Sequence, residues 1–164
     1  MKKLLSLLTL IFVFTIPSEA QISAKLMQYM DVSDTQIVFV YGGDIWLAPK
    51  EGGRAVQLTT SPGEESWPKF SPDGTHIAYT ASYNRNSDVY VIPVEGGVPV
   101  RVTHQSYGDR LIDWHPDGEK LLFASRLHMG QRSSQKFFMV DKEGGLAEPL
   151  EIPYGELASF SPDG

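Results

Sequence analysis

The chain has 164 residues, no cysteine and a formal charge of −6, with 14 Lys and Arg against 20 Asp and Glu. The lack of cysteine excludes a disulfide framework and a thiolate metal site. An acidic chain without a basic run is also excluded from nucleic-acid binding, which depends on Lys and Arg neutralising phosphates.

Residues 1–20 come first in chain order. Lys2 and Lys3 precede a mostly apolar run over 4–16, Pro17 closes that run, and Ser18 and Ala20 place small residues around a cut before Gln21. This pattern predicts a secretory signal peptide, because a bilayer span needs about 20 apolar residues. Removing it leaves 12 basic against 19 acidic residues. The expected location is exported, periplasmic or extracellular.

The rest of the chain is periodic. FSPDG at 70–74 recurs as WHPDG at 114–118 and as FSPDG at 160–164, so Asp73, Asp117 and Asp163 are spaced by 44 and 46 residues. EGG recurs in step at 51–53, 95–97 and 143–145. Between these phrases stand short apolar runs rich in β-branched and aromatic residues, and they align in columns: Ile37, Ile77 and Leu121; Phe39, Tyr79 and Phe123; Trp46, Tyr90 and Phe138; Leu58, Val102 and Leu150. Such runs, bounded by Gly, Pro, Asp and Ser, predict strands. Proline presets the first turn position, aspartate bonds its own backbone and glycine takes the left-handed conformation, so PDG predicts a hairpin turn; the EGG glycines are expected to act similarly.

Four-stranded units repeating every 40 to 50 residues predict β-propeller blades. The expected fold is therefore all-β: a partial β-propeller of about three blades, at about 25–61, 66–105 and 110–153, with the start of a fourth at 154–164. In the first blade Met30 is aligned with Phe70, and the stretch 31–34 is read as a degenerate hairpin turn. A propeller closes with four to eight blades, so the segment is expected to be the amino-terminal part of a longer protein.

Chemistry is sparse. His76, His104, His115 and His128 are read as turn, loop or strand-edge residues, and no G-x-S-x-G phrase marks a nucleophile. No catalytic residue, metal site or cofactor is expected. Trp46 and Trp114 fall in aromatic columns and are assigned to packing between blades. Trp67 is followed in the next copy by Leu111, which makes it the tryptophan assigned to ligand contact. The polar connections at 82–87 and 126–135 carry Arg85, Arg126 and Arg132. These arginines are the candidate contacts for acidic or carboxyl-terminal peptides, because loops at propeller ends form binding faces.

The order QYMD at 28–31, GDIW at 43–46, the run QLTTSPGEESWPKFSPDG at 57–74 and DVYVIPVEGG at 88–97 resembles the start of a tricorn-type protease over nearly all of the segment after the signal. That resemblance implies a six-bladed propeller that filters or passes peptides. A second, seven-bladed propeller, a PDZ-like domain and a serine peptidase core would follow. Implied partners are peptides or proteins, the rest of the same polypeptide and further copies of the chain. The SPDG repeats are also similar to TolB, a non-enzymatic envelope scaffold, which normally places an α/β domain between signal and propeller.

Overall fold

In the computed structural model, which describes residues 26–127, 134–152 and 154–161, the apolar runs between the repeated phrases become strands and the PDG phrases at 72–74 and 116–118 become turns. The expected signal peptide, Arg132 and Asp163 lie outside the described residues. Among the described residues twelve strands follow in order: β1 (Gln28–Val32), β2 (Gln36–Tyr41), β3 (Asp44–Pro49), β4 (Val56–Gln57), β5 (Glu65–Phe70), β6 (His76–Ala81), β7 (Asp88–Pro93), β8 (Val100–Arg101), β9 (Asp109–Trp114), β10 (Lys120–Ser125), β11 (Lys136–Asp141) and β12 (Glu148–Pro149). They form three antiparallel four-stranded meanders, β1–β4, β5–β8 and β9–β12.

Turn chemistry sets the hairpins. Gly74 and Gly118 take φ of 69° and 74° and donate to Ser71 and His115 carbonyls at 2.8 and 2.9 Å. A Cβ in that left-handed region is strained, so glycine ends both turns. Asp73 accepts from the Ser71 hydroxyl at 2.6 Å and the Thr75 amide at 3.0 Å. These bonds, the Ser71 hydroxyl foremost, hold its carboxyl down at about 2. Asp117 accepts likewise from the Glu119 amide at 2.8 Å.

Sheets stack face to face through alternate residues of each strand. Ile77, Tyr79 and Ala81 of β6 pack with Val38, Val40, Ile45 and Leu47 of the first sheet, whereas Ala78, on the opposite face, packs with Leu111, Leu121 and Phe123 of the third. Each sheet carries the same cross-strand aromatic pair: Phe39 opposite Trp46, Tyr79 opposite Tyr90 and Phe123 opposite Phe138. Tyr90 and Phe138 face the preceding sheet and are buried. Trp46 belongs to the first sheet, is half-buried, and donates its indole N–H to the Tyr41 carbonyl at 3.1 Å within that sheet. Trp114 does link sheets: its indole donates to the Lys69 carbonyl at 3.0 Å.

The first strands β1, β5 and β9 contact one another in sequence, and the short fourth strands lie at the opposite edge of each sheet. The first strands therefore form the hub and the fourth strands the rim, which is the radial plan of a propeller. The strand start is docked identically each time. Glu65 N–H donates to the Gly43 carbonyl, Asp109 N–H to Ser87 and Gly155 N–H to Gln135, at 3.0, 2.7 and 3.0 Å. After Gly155, Phe160 packs on the far face of the third sheet beside Ile112, Leu122 and Phe137.

Gly155 is small for a packing reason. A Cβ there would stand 2.5 Å from the Phe137 ring, which is buried. Gly155→Ala is expected to lower unfolding free energy by about 1–3 kcal/mol through overpacking, measured by urea melts. A variant with unchanged midpoint would show that the ring moves freely.

Two sequence expectations in the first sheet are corrected. Val32, not Met30, pairs with Ile37 as Phe70 pairs with Ile77. The length difference falls in the turn, so the strand register is kept. Asp31 is consequently a strand residue rather than part of a hairpin turn, and its carboxylate accepts from Phe70 N–H at 2.9 Å and Lys69 Nζ at 3.3 Å across the first interface.

Candidate functional site

With the register corrected, Gln28 pairs with Val40 as Ser66 pairs with Thr80, and each hub strand then breaks register before resuming at Asp31 and Lys69. Tyr29 and Trp67 therefore occupy the same structural position. Both take left-handed φ, 50° and 55°, which is strained for a large side chain. Bulges re-aim side chains, and here both rings turn outward, 39% and 36% exposed. Their centroids lie 4.5 Å apart. The third hub strand shifts register at the same place, but its Leu111, opposite Phe123, takes no left-handed φ and is buried.

Trp67 stands at the wall of a cleft of about 330 Å³ between the second and third sheets, shared with Ser87, Arg110, Arg126 and Gln135. Arg110 Cζ lies 5.3 Å from the Trp67 ring centroid, within cation–π range, and its guanidinium donates to the Glu156 carbonyl. Burial lowers the Arg110 pKa. Arg126 is exposed and makes no ion pair among the described residues. The cleft thus brings together Trp67 and Arg126 of the candidates read from the sequence. Arg85 is exposed in the β6–β7 connection with φ of 65° and does not line the cleft. Tyr29 and Arg110 escaped sequence reading, because one has its partner ring and the other its Trp67 face only through the bulges.

Beneath the cleft runs a repeated carboxylate position. Glu65, 2% exposed, accepts from Ile45 N–H at 3.0 Å and from the Thr59 and Tyr83 hydroxyls. Burial raises its pKa, and those three bonds oppose the rise. Asp109 stands in the equivalent place, one methylene shorter. The Thr103 hydroxyl still meets Val89 N–H at 3.0 Å, as Thr59 meets Ile45 at 2.9 Å, but neither Asp109 oxygen has a hydrogen-bond partner among the described residues. Burial pushes the Asp109 carboxyl up to about 6, held back by the neighbouring Ser125 and Thr103 hydroxyls; Asp88 adds to the rise and Arg101 opposes it. Asp88 and Arg101 form their own ion pair at 2.8 Å.

A serine, an aspartate and a histidine do meet in the turn after β5. There the Ser71 hydroxyl is spent on Asp73 and on the His76 carbonyl, while His76 Nδ1 faces Thr75. A triad needs the imidazole on the serine oxygen, so this trio locks a turn.

Radial four-stranded sheets with their first strands at a common hub define an open β-propeller segment. Residues 24–164 match the tricorn protease N-terminal beta propeller domain, and the chain belongs to that family. A Sulfurisphaera tokodaii protein named as a tricorn-like protease N-terminal subunit is 26% identical over 137 residues, covering 82% of this chain and 69% of that protein. A stretch of 51 residues, 30% of the chain, is 49% identical to a protein of Streptomyces coelicolor named as a tricorn protease homologue, and spans 4% of its length. Among solved structures, the tricorn protease superposes with a TM-score of 0.71 at 24% identity, over 83% of this chain and 14% of that one. The chain therefore corresponds to a small fraction of the full-length proteases it resembles.

Proposed function

We propose that this chain is the front part of the amino-terminal propeller of an exported tricorn-like serine peptidase, and that it admits or guides peptides to a peptidase domain elsewhere in the same protein. Residues 1–20 act as the export signal. Further blades of the same polypeptide complete the ring. One observation carries the peptide reading: at the hub, a strained, exposed Trp67 and an Arg126 with no ion pair among the described residues share a cleft in an otherwise acidic chain. Trp67 supplies an apolar face and Arg126 a carboxylate contact, while Arg85 and Arg132 contribute positive charge to the polar connections of the chain. The family match over 24–164 favours this reading over a TolB-like scaffold.

The test is fluorescence anisotropy of a labelled peptide with a free carboxyl terminus against the intact protein. Trp67→Ala and Arg126→Ala are each expected to raise Kd about tenfold, the equivalent of about 1.4 kcal/mol. Unchanged affinity in both variants would refute the peptide contact.

A further inference from the structure

Two clefts meet at Ser66. One is the Trp67–Arg126 cleft, and the other, of about 630 Å³, is lined by Tyr29, Tyr41, Gly43 and Glu64 on the first-sheet side. The Tyr29–Trp67 pair stands between them as an exposed ridge of two rings. The fold does not require it. At the third copy of this position the strand shifts register too, yet Leu111 is buried between sheets and has no left-handed backbone. Turning two large aromatics outward, each through a strained residue, costs stability at two sites and leaves apolar surface in water. A ligand that covers the rings offsets both costs.

We infer that Tyr29 and Trp67 form a peptide subsite selective for an aromatic side chain, with a carboxylate of the same peptide reaching Arg126. The inference rests on the peptide-contact reading and specifies which peptides that site takes. The rings are 4.5 Å apart and tilted by 44°, so a third ring lies against the pair, edge to face with one member, rather than slipping between them. Charge defines the rest of the ligand. Arg110 is engaged by the Trp67 face and the Glu156 carbonyl, which leaves Arg126 as the cation of the cleft available to a carboxylate. Glu64 and Glu65 on the other side disfavour an anionic group there, so the peptide is oriented with its acid toward the third sheet.

The experiment compares two probes on the intact protein: acetyl-Gly-Phe-Glu and its cyclohexylalanine counterpart, which has similar bulk and no π face. The phenylalanine peptide is expected to bind about fivefold more tightly. Tyr29→Leu should bring the two within about twofold while Arg126-dependent binding persists, and Tyr29→Phe should keep the preference. Equal affinity of the wild type for both probes, or a preference that survives in Tyr29→Leu, overturns the aromatic subsite and leaves the peptide reading standing. If neither probe binds, the peptide reading itself fails and the subsite with it. Thermal melts of both Tyr29 variants distinguish lost selectivity from lost fold.

Discussion

Glu65→Ala is expected to destabilise the protein by about 3–4 kcal/mol, whereas Glu65→Gln should cost about 1–2 kcal/mol. The carboxylate ties three elements at the first interface: the Ile45 amide of β3, the Thr59 hydroxyl beyond β4 and the Tyr83 hydroxyl in the β6–β7 connection. Truncation strips a partner from each of these groups and leaves a cavity between sheets. An unmet buried donor costs about 1–3 kcal/mol, to which the lost packing adds. Glutamine retains the shape and one acceptor: with its oxygen toward the Ile45 amide and Thr59, its amide nitrogen faces the Tyr83 hydroxyl, which must turn from donor to acceptor, hence the smaller loss. Urea melts of the two variants measure the difference. A Gln variant with the wild-type midpoint would mean that the site serves only to fill space.

Asp109→Asn, at the same position one interface on, is expected to raise stability at neutral pH by about 1–3 kcal/mol. Its folded carboxyl titrates near 6, above the ordinary value of 3.8. Below about pH 4 the group is protonated in both folded and unfolded chains and contributes nothing. Between about pH 4 and 6 the unfolded chain releases the proton more readily, so stability falls as pH rises, by about 3 kcal/mol in all at 1.36 kcal/mol per pKa unit. Above that window the cost of burying the carboxylate is fully present. The asparagine side chain carries no charge, so the variant loses this part of the slope. Glu65, also raised, keeps a slope of the same sign in the variant, while Asp73 and Asp117, both depressed, act oppositely at lower pH. Melts from about pH 4.5 to 7.5 should therefore converge at the acid end and diverge toward neutrality. Parallel curves would show that Asp109 finds partners in solution.

The periodic columns were legible in the linear chain because turn chemistry is local. A PDG or EGG phrase needs no distant partner to bend, and a short β-branched run between two such bends has little choice but to pair. Blade architecture follows from those short-range rules, and the cross-strand aromatic pairs of each sheet follow from the columns. Trp67 and Arg126 could also be singled out, one for breaking its column and one for sitting in a long polar connection. The meeting of Tyr29, Trp67 and Arg110 could not be read this way. It depends on left-handed residues at two of the three register breaks, positions whose amino-acid types do not announce them, and on a turn in the first sheet that is shorter than its counterpart in the second. The contrast between Glu65 and Asp109 is equally silent in one dimension. Both look like acids opening a strand, and one methylene, judged against the distance to an amide in the neighbouring sheet, separates a satisfied latch from a stranded charge.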